Sequence, residues 1–384
     1  MSSSDPIVIV GSGLAGYNTA RELRKLDPAR PLRIVTADGG DAYAKPLLSN
    51  AFKRGLTAKT LPTADAARMA EELGAEIRTH TRVEALDPER HTVTVDGHPQ
   101  PYSALVLGLG ADPLRLDLAD DAAAEVYSVN DLAGYARFRA ALGGARRVVL
   151  LGAGLIGCEF ANDLCTQGYT VTVVEAMDQI LGRFVPEPAA RALQRALGTA
   201  GVAWRLGNRC VAVNRGRDGL RVVLADDETL ETDVVLSAVG LRPRTGLASA
   251  AGLDVARAIV VDRELRTSAT DVYALGDCMQ VAGLWLPFIM PLMCASRALA
   301  RTLSGEPTRL GYPVMPVLVK TPAHPIVLSP PPPGSTGGWE IESGDDGVRA
   351  LFRDPDGLLL GATLTGCHVK DRMTLAKDLP PVLV

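Results

Sequence analysis

Gly11-Ser12-Gly13-Leu14-Ala15-Gly16 decides the fold. It follows the apolar run Ile7-Val8-Ile9-Val10, which reads as a buried parallel strand. It precedes Ala15 to Leu26, a stretch of good helix formers. Strand, glycine turn and helix in this order make G-x-G-x-x-G a dinucleotide site. Gly11 allows the tight turn, Gly13 lets the main chain approach a pyrophosphate, and Gly16 lets helix pack on strand. The phosphates then sit at a helix N-terminus, where free N–H groups and the dipole favour negative charge. One such match is weak. A second, Gly152-Ala153-Gly154-Leu155-Ile156-Gly157, follows Val148-Val149-Leu150-Leu151 and makes the pattern a repeat.

Outward from the first loop, Leu32 to Val35 is the next strand. A dinucleotide fold expects an acid near its end to hold a ribose. The tip reads Thr36-Ala37-Asp38, so the acid is Asp38, displaced from the usual place. A proline-containing loop, Tyr43 to Ser49, follows. Val83 to Ala85 and His91 to Val95 alternate as a hairpin does, and Asp96-Gly97 is a turn signal. Ala104 to Leu107 is another buried strand, ending in Gly108-Leu109-Gly110-Ala111.

Outward from the second loop, a helix runs from Glu159 to Gln167 and ends at Gly168. Thr170 to Val174 is a strand with Glu175 at its tip, 21 residues past Gly154. A carboxylate there suits both hydroxyls of an adenosine ribose and repels a 2′-phosphate, so NAD(H) is preferred over NADP(H). Arg183 is placed to contact phosphate or adenine. Val234 to Ser237 then runs into Gly240-Leu241-Arg242-Pro243. Further on come Ile259 to Asp262, Thr270 to Cys278, and helix signals from Pro291 to Ala300.

The 384 residues suggest two or three domains and a large core. A net charge of −4 offers no basic face for nucleic acid. The longest apolar stretch, Leu284 to Ala295, is broken by two prolines and too short to span a bilayer. The N-terminus lacks the basic region of a signal peptide. Six scattered cysteines form no zinc or disulfide spacing. The expectation is a soluble, reduced, cytoplasmic protein with no membrane contact.

Two glycine loops, Leu105 to Ala111, Ala238-Val-Gly-Leu-Arg-Pro243 and Tyr273-Ala-Leu-Gly-Asp-Cys278 occur here in one order. In that order the whole chain resembles the FAD-dependent pyridine-nucleotide reductases with the glutathione-reductase fold. Tyr43-Ala-Lys-Pro46, Val319-Lys-Thr-Pro322 and Asp371-Arg-Met373 are similar to the rubredoxin and flavorubredoxin reductases among them. The resemblance implies an α/β protein with two Rossmann-like units and a small α+β C-terminal unit. FAD would sit on the first loop and NAD(H) on the second. The FAD domain would comprise 1–112 and 241–310, with the NAD domain, 113–240, inserted, and a C-terminal domain at 311–384.

The same resemblance implies site roles. Asp277 would bind the ribityl chain, Lys45 and Pro46 would lie along the cofactor, and Val83 would reach the adenine through its backbone. Gly110 ends a strand beside the flavin, and Ile289 lies near its ring. The helix after Pro291 would aim its N-terminus at the pyrimidine edge, stabilising the charge of reduced flavin by up to ~1–2 kcal/mol. The chain departs from the pattern in three places. Leu109 stands where Thr is usual. Asn50 stands where related ferredoxin reductases carry a Lys that pairs with the acid matching Glu159. Lys320 stands where a Trp is common. Lys320 is therefore expected to supply the missing cation near the flavin and Glu159. Glu159, two residues past Gly157, is expected at the nicotinamide–flavin contact.

NADH gives up hydride, which a one-electron iron protein cannot accept, whereas a flavin converts between the two. Disulfide reductases of this fold need a C-x-x-x-x-C pair in the first domain, and no cysteine precedes Cys158. The leading expectation is an NADH-dependent reductase of rubredoxin, serving an alkane hydroxylase or an oxygen-detoxifying system, as monomer or homodimer. The alternatives are a ferredoxin reductase of an oxygenase and a non-catalytic NADH-sensing flavoprotein.

Overall fold

Strand Ile7–Val10 is buried along its length and pairs in parallel with Leu32–Val35 on one side and Ala104–Leu107 on the other. The computed structural model describes residues 5–118, 122–182 and 184–384. A central parallel strand has both faces covered, which is why this run is uniformly apolar. Glu76–Arg78 extends the sheet beyond Leu32–Val35, and Val272–Ala274 closes its other edge beside Ala104–Leu107.

The second sheet repeats the plan. Arg147–Leu151 lies between Thr170–Val174 and Val234–Ser237, with Ala203–Arg205 and Val126–Tyr127 outside them. A three-stranded antiparallel meander accompanies each sheet: Val83–Asp87, Thr92–Val95 and His98–Pro101 in the first, Cys210–Gly216, Gly219–Leu224 and Thr229–Thr232 in the second. The turn Asp96-Gly97 joins the second and third strands of the first meander, both residues at positive φ.

The chain leaves the first sheet along Ala111–Pro113 and returns along Leu241–Pro243, and these two strands pair antiparallel. Main-chain bonds from Arg244 to Gly110 and from Leu114 to Gly240, both 3.0 Å, fasten the crossing. A five-stranded antiparallel sheet follows, in the order Val317–Val319, Ile326–Ser329, Leu359–Thr365, Gly347–Arg353, Gly338–Gly344, with two short helices after it. The architecture is thus α/β, with two Rossmann-like units, one inserted in the other, and a small α+β unit.

The structure differs from the sequence reading in several places, among them helix Leu155–Thr166, which starts four residues before Glu159. Helix Ile289–Leu303 starts two residues before Pro291. The proline still lies in the first turn, where its missing N–H leaves no bond unmade. Residues 48–61, which sequence position assigns to the first unit, pack into the second core. Leu48, Ala51, Phe52 and Leu61 join Tyr135, Phe138 and Phe160, together with Val319 and Ile326 of the terminal sheet. The Phe52 ring stands edge-on to Tyr135 and Phe138, with centroids 5.5 and 5.9 Å away. No helix among the described residues is long and apolar enough to cross a membrane.

Candidate active site

The two glycine loops have nearly the same backbone. Gly13 caps helix Leu14–Leu26 at φ −64°, ψ −175°, and Gly154 caps helix Leu155–Thr166 at φ −72°, ψ −169°. Neither cap uses a side chain. A Cβ on Gly13 or Gly154 would meet no atom within 4 Å, so open space lies over both helix starts. A Cβ on Gly16 would collide with the Gly11 carbonyl, and one on Gly157 with the Gly152 carbonyl. The glycines therefore serve two separate needs: two allow helix and strand to touch, and two leave N–H groups open to an anion. Both loops fit a pyrophosphate on this ground. Ser12 is buried beneath the first loop, and Ile156 is exposed in the second.

The acids differ. Glu175 turns back to its loop and accepts from the Ala153 N–H at 2.6 Å and the Met177 N–H at 2.9 Å. Asp38 instead accepts from Ser12 Oγ at 3.1 Å, Thr36 Oγ1 at 2.7 Å and the Gly40 N–H at 3.0 Å, all on Oδ1. Thr36 itself accepts from Ser12 Oγ at 2.8 Å.

Gly276, at φ +78°, comes so close to the first loop that an added Cβ would lie 2.9 Å from Ala15 Cβ. This approach delivers Asp277 to the first loop. Lys45 Nζ lies 3.1 Å from Asp277 Oδ2, across 232 residues of sequence. Trp285 Nε1 donates to the Asp277 carbonyl at 2.9 Å, and Arg257 stacks on the Trp285 ring. Gly110 and Gly240 lie at the crossing strands, both at positive φ. Val83 is half-buried at the start of its meander, opposite Val95. Ile289 is exposed at the start of its helix. Arg183 lies outside the described residues.

Helix Leu155–Thr166 brings the rest together. Glu159 is 3% exposed. Ser49 Oγ donates to its Oε2, the Lys320 main-chain N–H donates to Oε1 at 3.0 Å, and Lys320 Nζ lies 2.7 Å from Oε2. Lys320 Nζ also donates to Ser49 Oγ at 2.9 Å and to the Pro46 carbonyl. A lone buried carboxylate costs several kcal/mol, roughly, and here an ammonium and two further donors offset it. Lys320 thus meets Glu159, while Asn50 Oδ1 is buried without a partner. Three side chains went unnoticed in the sequence: Ser49, Asn162 and Asp163. Asn162 Oδ1 accepts from the Ala323 N–H at 3.2 Å, and Asp163 accepts from the Phe52 and Lys53 N–H groups at 3.0 Å each. Polar residues at 159, 162 and 163 share a helix face in an otherwise apolar helix. That spacing was the available signal.

Burial pushes the Asp163 carboxyl above the usual range. Burial likewise pushes the Cys278 thiol up to about 11 and Cys158 higher still. Both act as small core fillers rather than nucleophiles. Among the described residues no cluster of three or more His, Cys, Asp or Glu is placed to hold a metal ion.

Residues 5–297 match the family described as pyridine nucleotide-disulphide oxidoreductase, and residues 309–379 the family described as rubredoxin binding C-terminal domain. The chain is 50% identical over 379 residues to the rubredoxin-NAD(+) reductase of Alcanivorax borkumensis, covering 98% of this chain and 99% of that one. It is 44% identical over 387 residues to the rubredoxin-NAD(+) reductase of Acinetobacter baylyi, covering 98% of each. The crystal structure of the ferredoxin reductase for the CYP199A2 system of Rhodopseudomonas palustris superposes with a TM-score of 0.88 at 26% identity, over 98% of this chain and 95% of that one. Paired glycine loops on paired sheets and a family match across residues 5–297 lead to one assignment: the chain belongs to the pyridine nucleotide-disulphide oxidoreductase family.

Proposed function

We propose that the chain takes hydride from NADH and passes electrons singly to rubredoxin, using bound FAD. One observation carries this reading. Two uncapped glycine loops of matching geometry stand on separate sheets, and the helix of the second presents Glu159 to Lys320 and to the turn that follows Lys45 and Pro46. FAD and NAD(H) are the cofactors of the family. FAD supplies what no side chain here supplies, acceptance of hydride and release of electrons one at a time.

The protein's part is binding, orientation and charge. Gly11, Ser12, Gly13, Leu14, Ala15 and Gly16 would hold the FAD pyrophosphate, with Thr36 and Asp38 at its ribose. Lys45, Pro46, Asp277, Val83, Gly110 and Ile289 would line its length. Gly152, Gly154, Leu155, Ile156, Gly157 and Gly240 would hold NADH, and the Glu175 carboxylate would exclude a 2′-phosphate. Glu159, held as an acceptor from every side, and Lys320 would fix the edge at which the two cofactors meet.

The match of residues 309–379 to a rubredoxin-binding domain supports rubredoxin over ferredoxin as the acceptor. The proposed division is 1–112 and 241–310 for FAD, 113–240 for NAD(H) and 311–384 for the terminal domain. Placement in the cytoplasm, supply of an alkane hydroxylase or an oxygen-detoxifying system, and a monomeric or dimeric state belong to the same proposal. Anaerobic titration of the yellow protein with NADH, then mixing with rubredoxin or a [2Fe–2S] ferredoxin, tests it. Bleaching by NADH and rapid return of colour with rubredoxin are expected. A protein that NADH cannot bleach, or that reduces ferredoxin faster, overturns it.

A further inference from the structure

Asp163 is 1% exposed, and its two carboxylate oxygens take two successive main-chain N–H groups, Phe52 on Oδ2 and Lys53 on Oδ1. Charge-assisted bonds to neighbouring amides fix a chain in both place and direction. These amides come two and three residues after the turn Lys45–Asn50, whose Ser49 and Pro46 engage Glu159 and Lys320. Glu159 lies one helical turn before Asp163, so one helix face grips the segment at two points. From the other side the Phe52 ring is packed on Tyr135 and Phe138. The turn is held where Asn50 Oδ1 is buried with no partner, a position that a freely settling loop would leave. An apolar side chain would fill the same core without burying a charge, so packing does not account for an acid here.

We propose that Asp163 is a positioning residue for the reaction. Through the amides of Phe52 and Lys53 it keeps Ser49 and Pro46 within reach of Glu159 and Lys320. This rests on the proposed function, in that hydride passes beside the Glu159 cluster.

The test uses the full FAD-loaded chain. Asp163→Asn keeps the volume but sets an amide donor against one of the two N–H groups. The rate of flavin bleaching at saturating NADH falls about 10-fold, while half-saturation stays within about twofold, a split that general loosening does not give. FAD content is unchanged, and amide hydrogen exchange across 46–53 quickens. Ser49→Ala supplies a cycle. If Asp163 acts through Ser49, the double variant is no slower than the slower single variant. Bleaching of Asp163→Asn at the wild-type rate, or losses that multiply in the double variant, overturns the proposal. Asp163→Glu, whose longer arm overshoots both amides, carries the same expectation should Asp163→Asn not fold. Failure of the function itself looks different: NADH then leaves the wild-type flavin coloured.

Discussion

The first and second glycine loops are near copies in backbone and unlike in what their acids do. Glu175 reaches back to the second loop itself through the Ala153 amide, and its other oxygen takes the Met177 amide beside it. Asp38 meets the first loop through the Ser12 side chain rather than a loop amide, and also accepts from Thr36 and Gly40. The first loop instead receives a second acid, Asp277, from the returning chain, already paired with Lys45. The helix–strand contact allows no variation, because a Cβ on the third glycine has no room in either loop. The side chains around the two loops differ, and in the proposed function they set which nucleotide each copy takes.

The largest effect comes from testing the invariant part. Gly16→Ala and Gly157→Ala should each cost ~1–3 kcal/mol of stability by forced overpacking. Gly16→Ala should yield a colourless protein, whereas Gly157→Ala stays yellow and is not bleached by NADH. Absorbance before and after NADH distinguishes them, and two variants with the same phenotype would break the comparison. Gly13→Ala and Gly154→Ala probe the open space instead. The protein without cofactor should hold its stability or gain ~0.4–1 kcal/mol, because alanine restricts the unfolded chain. Affinity for the matching nucleotide should fall about 10- to 100-fold, or ~1.4–2.8 kcal/mol, by calorimetric titration.

The acids sharpen the comparison further. Glu175→Gln should lower the preference for NADH over NADPH in kcat/KM by about 10-fold, since the repelling charge is gone. Asp38→Asn should leave that preference alone and weaken FAD retention. The smallest effect lies at the foot of the sheets. Asp233, just before Val234–Ser237, binds the Arg146 and Arg147 amides and the Arg147 guanidinium, whose bonds hold its carboxyl down at about 2. Ser103 takes the corresponding place in the first unit with the same kind of main-chain bond, to Pro6, but its neutral hydroxyl only accepts from Arg30 at 3.2 Å. A carboxyl lowered from about 3.9 adds stability that is complete above that value and is lost as pH falls through 2. Asp233→Asn should cost about 1 kcal/mol at neutral pH, given partners half in solvent, and nothing once the pH is well below 2. Ser103→Ala should show no such pH dependence in denaturant melts.

The paired sheets were legible because four-residue apolar runs before a glycine loop leave a central parallel strand little alternative. The meeting of Glu159 with Lys320 was anticipated from resemblance, not from spacing. The spacing of Glu159, Asn162 and Asp163 marks a shared face but not its role, because polar residues on one helix face ordinarily face water. Here that face is covered by segments 111 and 161 residues away, whose position no local pattern gives. The terminal α+β unit was legible only through the resemblance, because its own residues give little pattern. Its strands are short or unevenly alternating, and Pro330 to Pro333 interrupt them.

Strand Val272–Ala274 takes its place beside Ala104–Leu107 only after the whole inserted unit has been threaded between them. A ribosome that has released the first 240 residues has therefore made a second sheet complete in itself and a first sheet with a bare edge. Asp277 emerges directly after the strand that covers this edge. A chain cut short before it exposes a sticky border to its neighbours.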